Sequence, residues 1–115
     1  MKETENIIVK KTFDFAADII DLHISLTEVK HFVLAKQVIR SGTSIGANVR
    51  ESQRAVSKPD FENKLGIALK EAEETEYWLD LIDFKVMRVN QKLKSDLIEI
   101  IKILTAIIVS SKRKN

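Results

Sequence analysis

The chain has no cysteine among its 115 residues. That excludes disulfides, thiolate zinc sites and cysteine nucleophiles, and it fits a reducing compartment. Proline occurs once and glycine three times, so little interrupts helices. Histidine occurs twice and only one lies in a Glu-x-x-His motif, whereas a di-iron bundle needs two such motifs. Aromatic residues make up 6% of the chain, and no spaced row of them suggests a stacking platform for single strands. The most apolar stretch, LIEIIKILTAIIV at 97–109, is broken by Glu99 and Lys102, and it falls short of the ~20 residues a membrane-spanning helix needs. The N-terminal MKETENIIVKK lacks an apolar secretion segment. Strand alternation, hairpin signals and the glycine spacings of phosphate and dinucleotide loops are also missing. The expectation is a cytoplasmic helical protein outside the membrane, with no cofactor, no metal site and no catalytic residues. Residues 1–115 should form one domain, long enough to bury about two-thirds of its unfolded surface.

Charge is unevenly distributed although its net value is only +2. Residues 1–27 carry net −2, residues 28–58 net +4, residues 59–83 net −6 and residues 84–115 net +6. Alternating blocks suit helices that attract neighbours of opposite sign, or a surface with separate basic and acidic faces.

Four helices account for nearly the whole chain. In the first, Val9, Phe13, Ala16, Ile20 and His23 recur at 4-3 spacing, flanked by Phe15, Ile19, Leu22 and Leu26. Together these predict a wide apolar face. Thr27 is placed to cap the second helix. The third opens with Ser57 and Asp60 at capping-box spacing and Pro59 in its first turn. It continues through Phe61, Leu65, Ala68, Ala72, Thr75, Leu79, Ile82 and Val86. The fourth has Leu93, Leu97, Ile100, Leu104 and Ile107 at the same spacing. Short connections between them predict an antiparallel up-down-up-down four-helix bundle. Ile98, Ile101, Ile103, Ile108 and Val109 lie beside the last stripe. Either that helix has a broad core face, or a second apolar face is buried between subunits.

The stretch RSGTSIGANVRES at 40–52 looks unsuited to a helix but keeps helical register. With residues 30–54 helical, Leu34, Val38, Ile45 and Val49 share the core side. Gln37, Arg40, Ser44, Asn48 and Glu51 form a polar ridge beside it. Two interior glycines disfavour such a helix by about 2 kcal/mol relative to alanine. Gly42 and Gly46 therefore predict close approach of another helix, with a bend near Gly46.

The ridge reads first as a polar helix–helix or subunit seam, with Glu74 and Glu76 as partners for cations such as Arg40, and second as a recognition surface. Lys36, Arg50, Arg54, Lys58, Lys92, Lys94 and the Lys112-Arg113-Lys114 tail form either a solvated basic stripe or a phosphate-binding one. Glu28 and His31 give a lone Glu-x-x-His, read as a helix-start Glu and a surface His. The acidic run Glu71, Glu73, Glu74 and Glu76 spreads around a helix rather than converging in a cleft, so it does not suggest acid–base catalysis.

Gln37, Arg40, Ser44, Ile45, Asn48 and Glu51 also spell Q-x-x-R-x-x-x-S-I-x-x-N-x-x-E. With EAEETEYWL at 71–79, this pattern resembles the bacterial 23S rRNA intervening-sequence proteins over roughly Lys10 to Leu104. The resemblance implies an antiparallel four-helix bundle and a ring-like homopentamer. A related group, the accessory proteins of diversity-generating retroelements, is similar in fold and ring assembly. Those proteins are basic, bind nucleic acid and contact a reverse transcriptase. Gly46 stands where the family commonly has proline, and Ser52 where it commonly has glycine. The combined expectation is a non-enzymatic homo-oligomer that binds RNA or DNA through a basic surface. The alternative is a structural adaptor for a protein partner.

Overall fold

The computed structural model describes residues 3–114, with side chains from Ile7 onward; Met1, Lys2 and Asn115, included in the single-domain expectation, lie outside the described residues. Four helices follow one another: α1 (Glu3–Glu28), α2 (Phe32–Ser52), α3 (Lys58–Lys85) and α4 (Gln91–Arg113). Each packs on its neighbours in sequence, and α4 closes back on α1, so the bundle is a square without diagonal contacts. Joined by turns of three to five residues, neighbouring helices run antiparallel in an up-down-up-down bundle about 50 Å long and 22 × 19 Å across. No strand occurs among the described residues.

One buried cluster draws on all four helices. The α3 and α4 stripes supply Leu65, Ala68, Leu79, Ile82, Leu97, Ile100 and Leu104, each at most 1% exposed. On α2, Val38, Ile45 and Val49 are buried and Leu34 is partly buried. The expected wide face of α1 narrows to the side of its flanking residues Phe15, Ile19 and Leu26. Its core residues are Ile8, Thr12, Phe15, Ile19 and Leu26, whereas Phe13 and Ile20 of the expected stripe are exposed. Both sets have helical period, and Thr12 decides between them. Its hydroxyl donates to the Ile8 carbonyl at 2.8 Å, so a polar residue enters the core satisfied.

The α1–α2 register follows from the glycines. A Cβ on Gly42 would lie 2.9 Å from Cγ1 and Cγ2 of Ile19, and one on Gly46 would lie 3.2 Å from the Thr12 carbonyl oxygen. The helix runs unbroken through both, and their lack of side chains lets α1 lie close against it. Gly66, on α3, has nothing within 4 Å of its Cβ position. Gly66→Ala should therefore stabilise the fold by about 1 kcal/mol through helix propensity, raising Tm by about 4 °C. A melting curve with no gain would show that Gly66 has a partner outside this chain.

The helix ends differ from expectation at one junction. Thr27 lies inside α1 and donates to the His23 carbonyl at 2.9 Å. Position 31 caps α2 without a side-chain bond, and Lys30 turns the chain at φ 67°. Glu28 ends α1 rather than starting a helix. At α3 the capping reading holds in form: Ser57 Oγ accepts from the Asp60 amide at 3.1 Å. The Asp60 carboxylate reaches the Val56 amide at 3.2 Å, one residue before the cap.

Candidate assembly and nucleic-acid surfaces

The polar ridge of α2 lies along α3. Arg40 bonds to Glu71 at 3.1 Å and to Glu74. Glu51 pairs with Lys64 at 3.1 Å. Glu74 also accepts from the Trp78 indole N–H at 3.0 Å. Asn48 turns back onto its own helix, donating to the Ser44 carbonyl at 2.9 Å, while Gln37 is half-buried. Glu76 is exposed and turns away from this seam. Beneath the ridge, Thr75 of the α3 stripe meets a residue that sequence reasoning missed: Thr75 Oγ1 and Ser41 Oγ, both fully buried, are 2.9 Å apart. Ser41 falls three residues after Val38 and four before Ile45, so its core position was visible in the spacing. Such a satisfied buried pair selects one α2–α3 register over its neighbours.

Other charge blocks meet in the same way. Lys11 pairs with Glu99 and Lys92 with Asp18 across α1 and α4; Lys94 pairs with Asp80 and Asp83 across α3 and α4. These exposed or half-exposed pairs add little stability individually but favour one arrangement of neighbours. Asp83 also accepts from the Val89 amide at 2.7 Å. That bond, followed by the one from Lys94, holds its carboxyl below the ordinary aspartate value. Hydrogen bonds to Asp96 and Asp18 hold Lys92 above the ordinary lysine value.

The basic residues do not form one stripe. Lys92 and Lys94 are engaged by carboxylates near the α3–α4 turn, and Lys36 stands exposed toward the same end of the bundle on α2. The remainder gather at the opposite end, where α2 and α4 finish and α3 begins. Arg54, Lys58, Lys112 and Arg113 are exposed there, and Lys58 Nζ donates to the Lys114 carbonyl. One turn earlier, the Arg50 guanidinium lies 5.7 Å from the Phe13 ring centroid, a cation–π contact. The nearby acids are engaged: Asp60 on the Val56 amide, and Glu62 on the Ser111 hydroxyl at 2.6 Å.

Apolar surface is exposed on two sides. Along α1 beside α2, Phe13 is 60% exposed, Ile20 45% and Ile24 50%. A groove of about 200 Å³ runs between Phe13, Ala16, Gly46 and Ala47. Along α4, Ile98 and Val109 are exposed and Ile101 is half-buried. Lys94, which bonds across to α3, stands one helical turn before Ile98, so this second stripe borders α3. Among the described residues, no helix is long and apolar enough to cross a membrane, and no three His, Asp or Glu side chains gather as metal ligands would.

A profile of the 23S rRNA-intervening sequence protein family matches residues 4–106. The crystal structure of a protein of unknown function from the S23 ribosomal protein family of Bacteroides thetaiotaomicron is similar. It shares 48% identity and a TM-score of 0.86, over 91% of this chain and 97% of that one. No curated protein matches, and neither likeness indicates a catalytic family. The helical order, the α2–α3 seam and the profile match across nearly the whole bundle place this chain in the 23S rRNA-intervening sequence protein family.

Proposed function

We propose that the chain is a non-enzymatic, homo-oligomeric bundle that binds RNA or DNA phosphates through its basic end. The observation that carries this reading is the gathering of Arg54, Lys58, Lys112 and Arg113 at one end, where Asp60 and Glu62 are held by other bonds. Such a cluster suits a polyanion. The two apolar stripes support assembly, since exposed apolar surface of this kind marks an interface. They are different patches on different sides, so one copy's α1 stripe meeting another's α4 stripe gives a head-to-tail contact, which forms a ring where the rotation between copies closes and a filament where it does not. The family resemblance supports five copies in that ring. Repetition would multiply a weak phosphate contact into useful avidity. The family's description as 23S rRNA-intervening sequence proteins makes RNA the first polyanion to test.

The combined variant Arg54→Glu, Lys112→Glu, Arg113→Glu should weaken RNA binding at least about tenfold at low salt. It should also flatten the logarithmic salt dependence by about two to three, at roughly 0.7–0.9 per phosphate contact. Oligomer mass should not change. RNA affinity equal to that of the unaltered protein would overturn the proposal.

A second reading, a protein adaptor, is favoured by one feature of α3. Tyr77 is 59% exposed beside the exposed Glu73, Glu76 and Asp80, an aromatic and acidic face that fits a basic protein segment.

A further inference from the structure

Phe84 is 85% exposed, although it stands in the last turn of a 28-residue helix whose other apolar residues mostly face inward. The chain around it is well fixed. The Ile82 carbonyl accepts from both the Val86 and Met87 amides, at 2.8 and 3.0 Å. Val89 is buried, and its amide is held by Asp83. The Phe84 ring is therefore displayed on a rigid turn rather than displaced by a loose one. Asp83, Lys85, Arg88 and Gln91 border it around an open concavity of about 420 Å³. The carboxylates nearby, Asp83 and Asp80, face Lys94 at 3.1 and 3.7 Å. Lys85 and Arg88 are exposed; Arg88 lies close enough to help hold the Asp83 carboxyl low, while the direct ion pair of Asp83 is with Lys94. An aromatic face flanked by two exposed cations fits an unpaired base and its neighbouring phosphates.

We infer that the α3–α4 turn is a single-strand nucleic-acid contact, in which the Phe84 ring stacks on an unpaired base while Lys85 and Arg88 take the flanking phosphates. The ligand class rests on the reading under Proposed function, but the residues are at the opposite end of the bundle, so the two can fail separately. Duplex RNA keeps its bases stacked on one another and offers nothing to the ring.

The test is a titration of the full chain with fluorescently labelled oligouridylate and, separately, with a labelled RNA duplex. Phe84→Leu keeps apolar bulk and loses the π face; Phe84→Tyr keeps the face. Stacking is worth about 1–3 kcal/mol per base, so Phe84→Leu should weaken oligouridylate binding about five- to a hundredfold. Phe84→Tyr should stay near the unaltered protein, and duplex binding should not change with either. Oligouridylate affinity unchanged in Phe84→Leu would overturn this inference while the basic end kept its RNA. So would an equal loss on the duplex, or a Phe84→Tyr variant as weak as Phe84→Leu. Failure of the unaltered protein to bind any RNA would overturn the reading beneath it as well. The ring is mostly in solvent, so these variants should melt as the unaltered protein does.

Discussion

Gly42→Leu should cost about 3 kcal/mol and lower Tm by about 12 °C. The position lies on a buried helix face, and even a Cβ there would come within 2.9 Å of both Cγ1 and Cγ2 of Ile19. Those atoms branch directly from the Ile19 Cβ, which is itself buried at 0% exposure, so they cannot swing aside as the tip of a long side chain would. Overpacking of this kind costs about 1–3 kcal/mol, and a full leucine exceeds the single methyl already in conflict. The roughly 1 kcal/mol gained by removing a helix glycine offsets only part of it. At this chain length each kcal/mol moves Tm by about 4 °C. The cause can be isolated with Ile19→Ala, which removes the atoms in conflict. Alone it should destabilise, because it empties a core position. Combined with Gly42→Leu it should recover part of the loss, giving a coupling of about 1–2 kcal/mol in a double-mutant cycle. Additive losses would mean that Gly42 is small for some reason other than Ile19.

The second large effect is on assembly. Ile20→Glu and Ile98→Glu, made separately, should each convert the oligomer into a 13.1 kDa monomer at micromolar concentration. Both side chains are nearly half exposed, at 45% and 46%, so the monomer tolerates a carboxylate at either position. An interface that buried the same position would leave that charge desolvated without a partner. A single central truncation commonly costs about 2 kcal/mol or more, close to a thirtyfold loss in affinity at each contact. If the contact is head-to-tail, mixing the two variants should give a limited partial rescue, because each retains one intact patch. The intact α4 stripe of the Ile20→Glu variant meets the intact α1 stripe of the Ile98→Glu variant and the two altered stripes stay unmatched, so only mixed dimers should form, not closed rings. Multi-angle light scattering reads all of these species. Unaltered mass in both variants would leave the stripes as ordinary surface.

These variants touch features of unequal visibility in the sequence. The α3 stripe was legible because it has one apolar set at helical period; on α4 the 4-3 set is the buried one, while Ile98 and Val109 of the row beside it are exposed. The Arg40–Glu74 pair was legible because a lone arginine on a polar ridge faces an acidic helix of opposite block charge. The core face of α1 was not, because Ile8, Phe15, Ile19 and Leu26 on one side compete with Phe13, Ile20 and Ile24 on the other. Hydropathy cannot rank two apolar faces; the buried choice turns on Thr12 satisfying its own hydroxyl and on Gly42 admitting Ile19. Ser41 was missed for a related reason, although its partner Thr75 stood in the α3 stripe. A hydroxyl counts as polar in any pattern, yet two of them bonded to each other pack as core. The division of the basic residues between two ends also needed the fold, since helical register places cations around an axis but the turns decide which termini meet. Phe84 stood outside every stripe, and that isolation was the only sign of its exposure in the sequence.

The central claim is that an oligomer of this chain holds nucleic acid through its phosphates. It is tested most directly by titrating the unaltered protein with labelled RNA at low and moderate salt, with light scattering on the same sample. The predicted result is a particle several times the 13.1 kDa chain mass whose affinity falls steeply as salt rises, as released counterions require. An oligomer that ignores RNA and DNA even at low salt would contradict the account and leave the acidic α3 face, and a basic protein partner, as the better explanation.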